Sequence, residues 1–319
     1  MISNSSDLVS VIVPCYNNKA YVTDVVASIR AQTYSPIEII LVDDASTDGT
    51  ADIVASKSDI ARVELLSRNC GVSHARNHGF ELAQGAFLQF LDFDDVLPET
   101  AIGLRIAALR DKNADIAYSS FQMFTDDARG ARTLQTPVGR SLDSVSDRPE
   151  LAMMLDRHPL CSATTMKRHV FTSMAKFAED IEITADVKFF FDAAQRGARF
   201  AFVPEVGCHY RQQLKSLSLY NDRALYRDWA ETVLKIEQDW VSSGQFTPQH
   251  RAALAYRLEN IAMAQMSGDP EGCRATIKEL ARIGPITRMS RSRLQLLLFR
   301  MFGSDRVATA KRVYHGVRG

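Results

Sequence analysis

Three carboxylates crowd into Asp92-Phe93-Asp94-Asp95, directly behind the apolar run Phe87-Leu88-Gln89-Phe90-Leu91. Like charges this close repel one another and resist desolvation unless a cation sits among them. A hard divalent ion with oxygen ligands, shared with the phosphates of a substrate, satisfies such a group. The plainer alternative is a buried strand followed by a solvated acidic turn. What the rest of the chain places around the cluster decides between them.

The surrounding pattern alternates strands and helices. Val9-Ser10-Val11-Ile12-Val13-Pro14 is β-branched and continuous, as expected of a strand buried on both faces. Val22, Val25, Val26 and Ile29 recur at the spacing of one helix face. Residues 37–42 predict a second strand ending in Asp43-Asp44, and the capping-rich stretch 45–50 opens a short helix. A third strand at 63–66, a helix at 72–83 and a fourth strand at 87–91 follow. Such β–α units with short connections predict an α/β fold with a doubly wound, mainly parallel sheet and flanking helices. Ligands bind such sheets beyond the carboxyl ends of the strands. Tyr16, Asp44, Arg76-Asn77 and the acids at 92–95 all fall there. No Gly-x-Gly-x-x-Gly or Gly-x-x-x-x-Gly-Lys is present, which excludes the dinucleotide-binding and P-loop modes of holding phosphate.

The texture changes near residue 110. A helix is expected from Pro98 to Arg110, a strand over 115–124, and a ragged loop or hairpin over 125–148. Residues 160–166 read as a strand, 167–176 as a short helix, and 185–196 as a helix stopped by Gly197. Arg199–Val203 and Val206–Arg211 bracket Pro204-Glu205 like a hairpin. From Tyr220 the pattern is helical, with segments at 223–243, 248–267, 270–283 and 290–302. The expected organisation is therefore an α/β domain over 1–219, with halves at about 1–110 and 111–219, and a helical region over 220–319.

Composition narrows the function classes. In 319 residues, 38 Lys and Arg balance 38 Asp and Glu, so no global field favours nucleic acid. The five cysteines are widely spaced without a Cys-x-x-Cys pair, which argues against a zinc site or disulfide framework and for a reducing, cytoplasmic setting. Residues 1–8 do not read as a signal peptide, and no apolar run approaches the roughly 20 residues of a membrane span. A soluble protein, or one attached to the inner membrane surface, is expected.

Four ordered blocks carry a resemblance. Val9-Ser10-Val11-Ile12-Val13-Pro14-Cys15-Tyr16-Asn17-Asn18 resembles the opening of the family two inverting glycosyltransferases, which have the GT-A fold. Ile39-Ile40-Leu41-Val42-Asp43-Asp44-Ala45-Ser46-Thr47-Asp48-Gly49-Thr50 resembles their second block. Arg68-Asn69-Cys70-Gly71-Val72-Ser73-His74-Ala75-Arg76-Asn77-His78-Gly79 is similar to their third, and Phe90-Leu91-Asp92-Phe93-Asp94-Asp95 to their DxD block. The resemblance weakens towards residue 218 and ends there. It implies a nucleotide-diphospho-sugar donor and a Mg²⁺ or Mn²⁺ ion that offsets the diphosphate charge. By the same resemblance Asp94 is a metal ligand, Asp92 a ribose or metal contact, and Asp95 a helper. Asp44 accepts from the base, mildly favouring a UDP-sugar. Pro14 and Tyr16 line the base site, and Arg76 faces the nucleotide or its phosphates. Asn77 and Gly79 read as helix-packing residues. Arg211 or Lys215, after the last strand, is expected to close over the diphosphate.

An inverting transfer also needs a base for the acceptor hydroxyl. Glu179, Asp180, Glu182, Asp186 and Asp192 are candidates. Glu179-Asp180 imitates the family's Glu-Asp pair, but the family's spacing to the helix-ending glycine selects Asp186. Helix geometry agrees: Val187, Phe190, Phe191 and Ala194 form the buried stripe, Asp186 lies at its edge, and Asp192 points away towards solvent. First-turn acids are also favoured by the helix dipole alone. Ala185 stands where many relatives carry Glu. His74, His78 and His158 lack metal-ligand spacing.

Residues 282–319 hold nine Lys and Arg against the single acid Asp305, around the apolar run 294–302. A basic amphipathic helix on a membrane surface and an ordinary packing helix both fit this. The expected function is metal-dependent transfer of a sugar to a carbohydrate or lipid-linked glycan acceptor. The rivals are a nucleotidylyltransferase, which needs a Gly-rich basic loop after the first strand, and an inactive sugar-nucleotide-binding scaffold.

Overall fold

The computed structural model describes residues 7–126, 131–144, 148–155, 158–212, 222–266 and 268–283. They fall into two compact units, Met1–Ala152 with Arg157–Gln213, and Met153–Asp156 with Leu214–Gly319.

In the first unit, β1 (Val9–Cys15), α1 (Val22–Arg30), β2 (Ile37–Asp43), α2 (Thr50–Ala55), β3 (Arg62–Leu65), α3 (Val72–Leu82) and β4 (Phe87–Phe90) follow in the expected order. β1 runs parallel to both β2 and β4, and β2 parallel to β3. The strand order β3-β2-β1-β4 means the chain steps outward from β1, then returns to its other side. The crevice beyond the carboxyl ends of β1 and β4 is thus the topological switch point, the place where such sheets take ligands. Every residue of β1 is buried, even Ser10, whose hydroxyl donates to Glu38 Oε1 at 2.5 Å and accepts from the Gly85 N–H at 2.8 Å. α3 lies so close to the sheet that a Cβ at Gly79 would stand 2.4 Å from Ile12 Cγ2. Its glycine is a packing requirement, as expected.

After α4 (Ala101–Asp111) the sheet becomes mixed. β5 (Ile116–Asp126), β6 (Arg132–Leu134), α5 (Pro149–Leu155), β7 (Thr164–Lys167), α6 (Ala185–Gln195) and β8 (Phe200–Arg211) complete this stretch. β7 is antiparallel to β4 and β5. The hairpin expected across Pro204-Glu205 is instead one long strand: β8 pairs in parallel with β5 from end to end, and the register slips beside Ser120. Pro204 has no N–H for the ladder, so it and Glu205 bulge out, exposed, while both flanks keep the same partner strand. The helix expected at 167–176 shrinks to a π turn at Val170–Met174.

The second unit contains α7 (Asp222–Ser242), α8 (Pro248–Gln265) and α9 (Pro270–Ile283). α8 opens with Pro248 in its first turn and a reciprocal cap, in which Thr247 Oγ1 accepts from the His250 N–H and His250 Nδ1 from the Thr247 N–H. Asp269, only 1% exposed, accepts from Arg227 Nε at 2.5 Å and Nη2 at 2.8 Å and from the Gly272 N–H at 3.2 Å. These bonds, the Arg227 pair foremost, hold its pKa below the usual carboxylate value. Asp269→Ala is expected to cost this unit roughly 1.5–3 kcal/mol, read from urea unfolding followed by circular dichroism. Because the folded pKa is depressed, that stabilisation is present above the ordinary Asp range and fades as pH falls through the lowered value. Among the described residues no helix is long and apolar enough to cross a membrane. The expected helix at 290–302 and the basic segment around it lie outside the described residues, apart from Arg282 and Ile283.

Candidate active site

The loops that follow β1 and β2 are laced together at the switch point. The Asn17 N–H donates to Ser46 Oγ at 3.0 Å, the Thr47 N–H to Asn17 Oδ1 at 2.7 Å, and the Asn18 N–H to Thr50 Oγ1 at 2.9 Å. Pro14 is buried at the end of β1, whereas the next aromatic, Tyr16, is 43% exposed at the crevice rim. Asp43 and Asp44 divide their work. Asp43 Oδ2 accepts from the Ser46 N–H at 2.9 Å. Asp44, 2% exposed, accepts from the N–H groups of Cys70 and Gly71, one on each oxygen at 2.8 Å. It therefore staples the loop entering α3, where Gly71 adopts a φ of 91°. Each Asp44 oxygen keeps a second lone pair for another donor.

α3 sends Arg76 inward. Its guanidinium is 6% exposed, donates from Nη2 to Asp92 Oδ1 at 2.5 Å, and lies 5.0 Å from the centroid of the Phe177 ring. The Asp92 N–H donates to Ser162 Oγ at 3.1 Å, so a buried 3₁₀ turn at Cys161–Ala163 supports the acid turn from below. Asp92 and Asp94 are half-buried, while Asp95 is fully buried. Asp95 Oδ1 accepts from the Arg211 N–H at 3.0 Å, the Ser162 hydroxyl lies close enough to stabilise its charge, and among the described residues its Oδ2 has no other hydrogen-bond partner. Burial, then the charges of Asp94 and Asp92, push the Asp95 carboxyl well above the usual range. Asp92 is paired with Arg76, so it is the buried Asp95 carboxyl that carries the cost of the crowding. Among the described residues no three metal-ligating side chains converge as a ready cage. This donor set fits an ion held by one or two carboxylates and completed by phosphate oxygens, as Mg²⁺ commonly is.

Arg211 departs from expectation. It is not a loop cation above the crevice but the last residue of β8, 3% exposed, with its side chain spent on the protein. Nε donates to the Asp94 carbonyl at 2.8 Å, Nη1 pairs with Asp126, Nη2 meets Asp24 at 3.2 Å, and the guanidinium covers the ring of Tyr21 at 4.2 Å. The strand ends at Arg211 as the sequence pattern suggests, but its pairing with β5 holds up to that last residue, opposite Phe124, and this carries Arg211 inside. It braces the acid turn. Lys215 lies outside the described residues.

The second group of acids separates cleanly. Asp186 sits in the first turn of α6, half-buried, with Oδ1 accepting from the Val187 N–H at 2.8 Å. Burial raises its pKa, His158 and Arg76 pull it down, and Asp92 raises it again. Asp186 therefore shares one electrostatic environment with Arg76 and Asp92, nearly a hundred residues away in sequence. Glu179 is a tether: it accepts from Asn77 Nδ2 at 2.8 Å and meets His74 Nδ1 at 3.1 Å, and the Asn77 bond in particular keeps its pKa low. Asp192 is not solvated as expected. α6 is enclosed on most sides, with Phe189 and Lys188 buried outside the predicted stripe, and Lys188 Nζ pairs with Asp192 at 2.5 Å. Sequence reasoning missed Ser162, His158 and the full part played by Asn77. Only Asn77 carried a signal, its place beside Arg76 in the third block.

Comparisons with known proteins show the family and the fold. The family model described as "Glycosyl transferase family 2" matches residues 10–171, and the chain belongs to that family. The match ends before Asp186 and Arg211. An Escherichia coli protein described as UDP-Glc:alpha-D-GlcNAc-diphosphoundecaprenol beta-1,3-glucosyltransferase WfaP is 36% identical over 121 residues, 38% of this chain and 48% of that protein. The chain spans about half the length, or less, of the first curated relatives it matches. Among solved structures, S. aureus TarS 1-349 in complex with UDP-GlcNAc aligns with a TM-score of 0.60 at 17% identity, covering 97% of this chain and 91% of that one. The Pyrobaculum calidifontis mannosyltransferase PcManGT, with GDP-Man and Mn²⁺, gives 0.60 at 20%, covering 87% and 76%. These likenesses establish a shared GT-A-like fold.

Proposed function

We propose that this protein moves a sugar from a nucleotide-diphospho-sugar to a hydroxyl of a carbohydrate or lipid-linked glycan, with inversion at the anomeric carbon. The observation that carries the reading is the Arg76–Asp92 pair at the switch point of the sheet, with Asp186 in the same electrostatic environment. The base of the nucleotide lies between Tyr16, Pro14 and Asp44, where the free lone pairs of Asp44 accept a ring N–H. Arg76 places positive charge beside Asp92, next to the donor. Asp94, with Asp92 beside it, holds a Mg²⁺ or Mn²⁺ ion, which supplies charge compensation for the diphosphate as it departs. Asp186 takes the acceptor proton from the opposite side, and its raised pKa makes it a better proton acceptor than an exposed carboxylate.

The relatives support parts of this. One is described as acting on a diphosphoundecaprenol-linked sugar, and one structural neighbour carries UDP-GlcNAc. Another carries GDP-Man and Mn²⁺, which supports a divalent ion. A UDP-sugar is the favoured donor, and the cytoplasmic face of a membrane is where a lipid-linked acceptor of this kind meets a soluble donor. Thermal-shift measurement against UDP- and GDP-sugars, with and without Mn²⁺, tests the reading. A donor that binds only the folded chain raises its melting temperature. No shift with any nucleotide sugar, under any metal condition, would sink it.

A further inference from the structure

Asp186 stands in the first turn of α6 with Oδ1 accepting from the Val187 N–H, so the path of the chain into that turn sets where it points. The loop before it is held from α3. Asn77 Nδ2 donates to the Phe177 carbonyl at 2.9 Å, and Asn77 Oδ1 accepts from the Phe177 N–H at 3.2 Å. One side-chain amide thus pairs with both backbone groups of one residue, as a neighbouring strand would. The Phe177 ring stacks on Phe189 of α6 at 4.7 Å and 18°, meets Phe90 of β4 edge-on at 4.9 Å, and lies under the Arg76 guanidinium. The adjacent residues Arg76 and Asn77 therefore fasten different parts of the crevice, Arg76 the acid turn and Asn77 the approach to α6.

We infer that Asn77 is a positioning residue that sets Asp186 against the Arg76–Asp92 pair, through Phe177 and its stack on Phe189. The inference rests on the reading of Asp186 as the base. It gives Asn77 a part in turnover although its amide is spent on the loop. A small tilt of the Phe177 backbone would be passed to the first turn of α6 by the rigid aromatic stack. Misplacement of a reacting group by about 1 Å can cost on the order of 10²-fold in rate.

The test uses the full chain and the nucleotide sugar found to bind it. Asn77→Ala removes both backbone bonds. Asn77→Asp, nearly isosteric, keeps the acceptor for the Phe177 N–H but sets a carboxylate against the Phe177 carbonyl and Glu179. Both are expected to lower kcat by roughly 10–100-fold while KM and Kd for the donor stay within about twofold. Lys176→Ala removes the exposed contact of Lys176 with Glu81 and a distant charge near Glu179 but neither Asn77–Phe177 bond, and should leave turnover unchanged. In an Asp186→Asn background, Asn77→Ala should add almost no further loss, because the two act in series. Unchanged kcat in both Asn77 variants overturns the inference, as does equal loss of kcat and donor affinity, or a full additive loss on top of Asp186→Asn. If Asp186→Asn alone retains turnover, it is the assignment of the base that has failed.

Discussion

Asp186→Asn is expected to lower kcat for sugar transfer by about 10²–10⁴-fold, the usual worth of a positioned general base. If Asp186 is the base on the acceptor side, as proposed, the Kd for the nucleotide sugar should be unchanged. The amide is nearly isosteric and cannot accept the proton, so the loss lies in the chemical step. The wild-type pH profile should show kcat falling on the acid side, with its limb displaced upward from the ordinary carboxylate range because burial raises the Asp186 pKa. The limb should vanish in the variant. Folding disfavours the ionised form of a carboxylate whose folded pKa is raised, so removing that charge should leave the melting temperature unchanged or higher at neutral pH. Near-normal kcat in Asp186→Asn, with binding intact, would exclude it as the base.

Asp94→Ala should abolish the Mn²⁺- or Mg²⁺-dependent part of nucleotide-diphosphate affinity in calorimetric titration. Changes in a metal's outer shell already cost roughly 10–100-fold in metal affinity, and loss of a direct ligand should cost at least as much. Binding without metal should be little altered. The fold should survive, because Asp94 is half-buried and Arg211 holds that turn through the backbone carbonyl of Asp94 rather than its carboxylate. Unchanged metal-dependent affinity would remove Asp94 from the metal site and shift attention to Asp92.

The contrast between Asp94 and Asp95 shows where sequence reading stopped. All three acids of the turn look equivalent as letters, but the backbone turn from Asp92 to Asp95 rotates the third inward. There it takes the Arg211 N–H and loses contact with water. Arg211 itself looked like a phosphate-closing cation by resemblance to relatives, from its place at the end of the last strand. Whether a strand's last residue points in or out depends on where its ladder ends, and that ladder is made with β5, some eighty residues earlier in the chain. Asp192 failed for a related reason. A helical-wheel argument assumes one buried face, and α6 is enclosed on most sides, which only its packing against other elements could reveal.

Much of the fold was nevertheless local. Continuous β-branched runs, capping residues and short connections define β1 to β4 and their helices, while the order β3-β2-β1-β4 came from the pairing in the folded chain. The identities of Tyr16, Asp44 and the acids at 92–95 follow from the local pattern because each sits within a few positions of a strand end, and Arg76 from its place in the second turn of α3. The tertiary structure alone decided that Asp186 shares an electrostatic environment with Arg76 and Asp92, which acid is buried, and that Arg211 braces the acid turn. Those facts depend on contacts between segments far apart in sequence. Burial and charge at such contacts are properties of the packed chain, and no periodicity within a single segment encodes them.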